Sequence, residues 1–323
     1  MNTLVRSMVL ALLLVTAAHG IAQTYPAKPV RLVIGYAPGG LGDLLARLVA
    51  DKLTSRLGQP VLVDNRVGAG GTIAAEFVAK APPDGYTLLQ GTAAETTYAV
   101  STVGSRLPYD PARDLAPISM LNLAPLVLVA HPSLGFASVK DVVDYGKANP
   151  GRLNYASFGM GSSSHFAAEL FKAAIDLDLT HIPFKGSGPA VQEVMAGRVQ
   201  LLFDTVASSA QHVRSGRLVA LAVTSAQRAA PLPQVPTFKE IGISGVELQP
   251  WAVLFAPART PAPIIARLNH DVREVLALPE VRERLAALAA DAAPSSPEEL
   301  GAHVRGEIAR IARIVSEARL KFE

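Results

Sequence analysis

Three stretches of this 323-residue sequence set glycines beside hydroxyl or carboxyl side chains: 36–43 (YAPGGLGD), 91–98 (GTAAETTY) and 155–166 (YASFGMGSSSHF); a fourth, 203–209 (FDTVASS), offers hydroxyl and carboxyl side chains without a glycine. Bare glycine backbone and the start of a helix both present N–H groups that lack internal partners, and such groups take up anions. The hydroxyls of Thr92, Ser162, Ser163 and Ser164 would add donors, and the combination suits a carboxylate. That chemistry needs no cationic cluster, and none is visible.

Other chemistries fit the same residues less well. A phosphate-binding P-loop needs Lys and then Ser or Thr after its glycines, and GGLGDLL has neither. The dinucleotide fingerprint G-x-G-x-x-G breaks at Ile73 in GAGGTI and at Ser164 in GMGSSS. Ser164, His165 and Asp204 are the residue types of a hydrolytic triad. Adjacent helical residues do not face one another, however, and no serine sits in G-x-S-x-G. The seven histidines show no metal-ligand spacing, so no metal and no cofactor is expected. His165 reads as a first-turn residue pointing to solvent or to the edge of a cleft. Asp43 can cap its own helix start, which is worth about 0.3–1 kcal/mol, or meet a ligand through water. Lys185 in PFKGSGP is either an anion partner or a solvent-facing loop residue, and DNRVGAGG (64–71) reads first as a tight connection.

The elements that must hold these stretches alternate along the chain. VRLVIGY, VLVDN, YTLLQG, PLVLVAHP, LNYAS, VQLLFD, LVALAVT and WAVLFAP are strand-like, with amphipathic helical patterns between them. After the first strand, Leu45, Leu48, Val49, Leu53 and Leu57 recur at helical spacing, and from Pro263 on the pattern is helical to the end. Ser296 ahead of Glu298 and Glu299 marks a helix start. This alternation predicts an α/β fold with mostly parallel sheets flanked by helices. The length favours two domains. The expected crossings near 122–125 and 224–228 give a discontinuous first lobe, 24–123 plus 227–323, and a continuous second lobe, 124–226. Ligands in such sheets lie beyond the C-terminal ends of the strands, where the four stretches fall.

Composition narrows the class. Half the residues are hydrophobic and 18% are charged, which suits a folded chain. The net charge of +3 is scattered, aromatics are few, and no nucleic-acid partner is expected. Arg6 precedes the apolar run Met8–Ala18, followed by small residues, so residues 1–22 read as a cleavable signal peptide with cleavage after Gly20 or Ala22. The run is shorter than the ~20 residues that span a bilayer, so no direct membrane insertion of the mature chain is expected. The absence of cysteine excludes disulfides, thiol catalysis and lipid attachment through a cysteine.

The order YPAKPVRLVIGYAPGGLGD, GQPVLVDNRVGAGG, PPDGYTLL, LPYDPARDLAPIS, GRLNYASFGMGSSSH, HIPFKGSGPA and ALAVTSAQRAAPLPQVPT resembles the Bug family across essentially the whole mature chain. These are periplasmic solute-binding proteins of tripartite tricarboxylate transporters. The resemblance implies a type II, Venus-flytrap binding protein that is not an enzyme and that closes on a small organic carboxylate. It also implies delivery to a membrane permease, with signalling to a sensor kinase as the alternative. Carried over to this sequence, the ligand-binding residues are Tyr36, Pro38, Gly39, Gly40 and Asp43; Thr92, Ala93 and Glu95; Ser157, Gly159, Gly161, Ser162, Ser163 and Ser164; and Asp204 with Thr205. Leu41 departs from the third glycine common in the family, and AAETTYAV departs from its usual small polar residues and Asn. An ionised Glu95 at the far end of the ligand would repel a second carboxylate, which favours a monocarboxylate or an amino acid.

Overall fold

The structure, a computed structural model, describes residues 25–317 and Leu320; the expected signal peptide lies outside the described residues. In chain order the strands are β1 (Val30–Ile34), β2 (Val61–Asn65), β3 (Thr87–Thr92), β4 (Leu115–Leu123), β5 (Leu126–Ala130) and β6 (Asn154–Ser157). Then come β7 (Thr180–Pro183), β8 (Leu201–Thr205), β9 (Val219–Val223), β10 (Trp251–Pro257) and β11 (Asp291–Ala292). They form two sheets, in the orders β11-β4-β10-β3-β1-β2 and β7-β6-β8-β5-β9.

Most strands of each sheet point the same way, as expected, with β10 and β11 reversed in the first and β5 reversed in the second. The reversed strands β5 and β10 are those that enter each sheet from the other lobe. The helix Leu41–Leu57 lays Leu45, Val49 and Leu53, each fully buried, against the first sheet. Its Arg47 stays outward, as the 3.6-residue period requires. Ser296 and Glu299 bond each other's backbone N–H and open the helix Pro297–Glu317. The C-terminal region is not wholly helical, because the two residues of β11 add an edge to β4.

β4 has no clear signal in the sequence. Pro117 interrupts its pattern, and the chain accommodates it at a register shift against β10, between Leu254 and Phe255. The return crossing also differs from expectation. Residues 225–248 do not rejoin the first lobe at 224–228 but pack on the second. Val223 and Phe238 are joined by backbone hydrogen bonding, and Leu232 and Val235 pack with Val127 and Val129. Phe238 meets Phe203 and Phe171 at ring distances of 5.8 and 5.7 Å. The hydrophobic residues of this Pro-rich stretch have no regular period, so their partner sheet could not be read from pattern.

The true crossings therefore lie side by side at 123–126 and 248–251. Ala124 N–H donates to Pro250 O at 2.9 Å, and Leu248 N–H donates to Thr224 O at 3.1 Å. Thr224 Oγ1 donates to Leu248 O at 2.6 Å and accepts from Leu126 N at 3.0 Å, tying the two connections together. Phe238→Ala is expected to lower stability by about 3–5 kcal/mol and to open 225–248 to proteolysis before the rest of the chain. Urea denaturation with limited proteolysis checks this; early cuts in the first lobe instead would contradict the packing.

Candidate functional site

Four helix starts converge between the two sheets. Gly40 precedes Leu41–Leu57, Ser162 precedes Ser163–Ile175, Gly186 precedes Ser187–Met195, and Thr205 precedes Val206–Arg214. Each follows the C-terminal end of a strand, which explains why they meet. Ser162 and Thr205 cap their own helices, with side chains accepting from His165 N and Ser208 N. Gly40 and Gly186 supply no side-chain cap, so the first N–H groups of those two helices keep their capacity for an anion.

A pocket of about 90 Å³ lies among them. Of the sequence-predicted residues, Tyr36, Gly40, Asp43, Thr92, Ser163 and Thr205 line it. Ser187, Asn122, Leu126, Phe158 and Trp251 line it too and were missed. Ser187 stands in PFKGSGP, but the strand before it, β7, is short and half exposed and gives no buried-strand signal in the sequence. Asn122 and Trp251 belong to the crossings, whose position only the tertiary fold defines.

Most of the other predicted residues form the layer behind, and Asp43, although it lines the pocket, is engaged by its neighbours. Asp43 is buried and accepts from Arg47 Nε and Nη2 at 3.0 and 2.9 Å, Asn65 Nδ2 at 3.1 Å and Gly39 N at 3.2 Å. Burial alone would raise its pKa, but Arg47, Asn65 and the Gly39 N–H hold it below the ordinary carboxylate value. Asp43 thus fixes the glycine turn rather than offering a free charge. Ser164 Oγ donates to Phe203 O at 2.6 Å and leaves the pocket. Pro38, Gly39, Ala93, Gly159 and Gly161 shape the turns without lining it. Lys185 contributes its backbone, accepting from Ala37 N at 3.2 Å across the lobes.

Glu95 does not face the pocket, contrary to expectation. It is fully buried in a π-helical turn, Ala94–Tyr98, where its Oε1 accepts from Thr92 N at 2.7 Å and its Oε2 from Thr92 Oγ1 at 2.6 Å. Tyr36 OH is 3.4 Å from the same oxygen. The π turn rotates the side chain inward, against Gly71, which the sequence gave no sign of. Burial pushes Glu95 up to about 7 despite these donors. Asp204 is likewise buried behind the wall, accepting from Ser187 Oγ at 2.6 Å and Ser209 Oγ at 2.5 Å, and burial raises it to about 7.

His165 is buried, not at the solvent edge. Its ring stacks on His181 at 4.0 Å, and His181 stacks on Tyr155 at 4.8 Å. Gly161 N–H donates to His165 Nδ1 at 3.0 Å, and Ser157 Oγ lies 2.6 Å from His181 Nε2. The pair thereby holds the 157–161 turn. Burial, and then Lys172, lowers His165 to about 4; burial, and then His165, lowers His181 to about 3.

Contacts between the lobes flank the pocket. Gly70 of the first lobe is so near the second that a Cβ there would stand 2.4 Å from Met160 O, and a Cβ on Gly188 would stand 3.3 Å from Pro38 O. Tyr98 stacks on Phe166 at 4.7 Å across the same boundary.

These four buried groups oppose one another in pH. The acids' stabilisation is complete below their ordinary values near 4 and is lost as pH rises towards 7. The imidazoles' stabilisation is complete above 6.5 and is lost as pH falls towards 4. Between about pH 5 and 6 the two slopes cancel, at about 1.4 kcal/mol per pH unit for each proton. In a Glu95→Gln/Asp204→Asn protein, stability should therefore climb from pH 5 to 6 by up to about 3 kcal/mol more than in the wild type. Urea unfolding across this range is the check, and an unchanged profile would contradict the protonation states assigned here.

Comparison with known proteins gives a consistent result. The family model described as "Tripartite tricarboxylate transporter family receptor" matches residues 45–320. Protein BugT of Bordetella pertussis is 37% identical over 307 residues, 95% of this chain and 94% of BugT. Among solved structures, R. palustris Rpa4515 with adipate is 35% identical, covering 92% of this chain and 99% of that one, with a TM-score of 0.88. MatC from Rhodopseudomonas palustris with bound malate is 34% identical, covering 90% and 100%, with a TM-score of 0.86. With its two lobes, its cleft of helix starts and these relatives along nearly its full length, the chain belongs to the tripartite tricarboxylate transporter receptor family, the Bug-type solute-binding proteins.

Proposed function

We propose that this protein is a periplasmic receptor that captures a small organic carboxylate between its lobes and delivers it to the membrane permease of a tripartite tricarboxylate transporter. The observation that carries the reading is the pair of uncapped helix starts, at Gly40 and Gly186, facing one pocket from opposite lobes. A carboxylate between them meets N–H donors and dipole ends from both sides, and the hydroxyls of Thr92, Ser163 and Thr205 stand around it. The family, and relatives whose structures hold adipate and malate, support the same ligand chemistry. Among the described residues no helix is long and apolar enough to cross a membrane. Residues 1–22 provide the export signal expected for that location.

A monocarboxylate fits better than an amino acid. The acid that lines the pocket, Asp43, is already engaged by Arg47, Asn65 and Gly39, and Glu95 and Asp204 stand behind the wall, so an ammonium group meets no uncommitted carboxylate. The hydrolytic alternative finds no support in geometry. Ser164 donates to Phe203 O, His165 Nδ1 accepts from Gly161, and Asp204 holds Ser187 and Ser209.

Micromolar binding corresponds to about −8.2 kcal/mol, within reach of several oriented hydrogen bonds in a desolvated cleft. Thermal unfolding of the mature chain against mono-, di- and tricarboxylates, amino acids and amines tests the reading. A monocarboxylate at 100 times its Kd should add about 2.7 kcal/mol and raise Tm by several degrees, while amines leave it unchanged. Absence of a shift with every acid, from protein shown by native mass spectrometry to carry no ligand, would overturn the reading. Gly70→Ala should weaken the effective ligand at least tenfold by obstructing closure, measured by calorimetry.

A further inference from the structure

Resting on the carboxylate-receptor reading, we infer that Asn122 is a specificity-determining residue that receives a neutral hydrogen-bonding group at the far end of the ligand. Asn122 is 2% exposed, lines the pocket, and its amide oxygen meets no hydrogen-bond donor among the described residues. A buried polar atom left so costs about 1–3 kcal/mol, an expense that a structural amide would avoid by pairing with its neighbours.

The strand register places this amide. Ala252 of β10 pairs with Thr92 on one side and with Asn122 on the other. Thr92 and Asn122 therefore stand two strand spacings apart in one row, about 10 Å. Thr92 belongs to the end built from Tyr36, Gly40 and the helix starts, which takes the carboxylate. Asn122 marks the opposite end; Ala252 stands between the two in the register, and Leu45, Ala124, Leu126, Phe158 and Trp251 give the pocket further apolar lining. A chain of about six carbons with a hydrogen bond at each terminus fits that separation.

The chemistry of the far end follows from its surroundings. The unpartnered atom is the amide oxygen, an acceptor, so a hydroxyl or an amide on the ligand, each of which donates a hydrogen, can satisfy it. No Lys, Arg or His is among the residues lining the pocket. A second carboxylate there would lie against apolar walls with a single amide and no cation, so its desolvation would go largely uncompensated. A plain methyl terminus would leave the amide unpaired. The preferred ligand is therefore a monocarboxylate with an apolar body and one uncharged polar group at the other end.

Calorimetric titration of the wild type and Asn122→Leu with hexanoate, 6-hydroxyhexanoate and adipate tests this, since the three differ only at the distal terminus. The wild type should bind 6-hydroxyhexanoate at least tenfold more tightly than either of the others. Asn122→Leu should lower the 6-hydroxyhexanoate-to-hexanoate affinity ratio at least tenfold, a ratio unaffected by general loss of stability. Adipate ranking first, or an unchanged ratio in the variant, overturns the inference while leaving the receptor reading in place. Should the variant not fold, the wild-type ranking decides alone. Failure of all three to bind overturns the subsite, and the receptor reading then falls only if the shorter acids of the wider panel fail as well.

Discussion

Two helices of this protein begin on glycine with no side chain to satisfy their first N–H groups, and the rest of the structure is arranged around where those beginnings lie. A helix start of this kind favours negative charge through both its free donors and its dipole. Placed one on each lobe, the two starts can be satisfied by the same anion only when the lobes come together. The parallel strands aim them at one another, and the paired crossings at 123–126 and 248–251 keep the two sheets opposed.

The acidic residues near the pocket, Asp43 on its wall and Glu95 and Asp204 behind it, serve this arrangement by holding their neighbours. Asp43 holds the glycine turn, Glu95 holds the backbone and hydroxyl of Thr92, and Asp204 holds Ser187. None presents an uncommitted charge to the cavity, so the wall stays compatible with an anionic guest. The stacked His165 and His181 act in the same way on the serine-rich turn, as neutral bases buried where a second positive charge 4.0 Å away would be costly. Rigidity thus comes from buried polar groups one layer out, and recognition from backbone and hydroxyls in the layer they support.

Much of this was legible in the residues. The strands that end in glycine and the helices after them followed from period and turn chemistry, because VRLVIGY and LLARLVADKL leave little choice of partner face. The placing of Tyr36, Gly40 and Ser163 at the pocket followed from the same logic. What escaped depended on contacts between distant segments. β4 was hidden by Pro117, which only its register shift against β10 makes tolerable. Glu95 was misplaced because a π turn moves a side chain by a part of a turn, and no spacing rule announces it. Asn122 and Trp251 were invisible as site residues because each gains its position from the lobe crossing, which the Phe238 cluster shifts away from 224–228.

The close approach of Gly70 to Met160 and of Gly188 to Pro38 gives the closed form a sharp end point. Backbone resting on backbone does not compress, so the distance across the pocket at full closure is set by the protein and not by its guest. The glycines thereby act as a stop: the width of the cleft at that contact is fixed by residues that need not touch whatever the cleft holds.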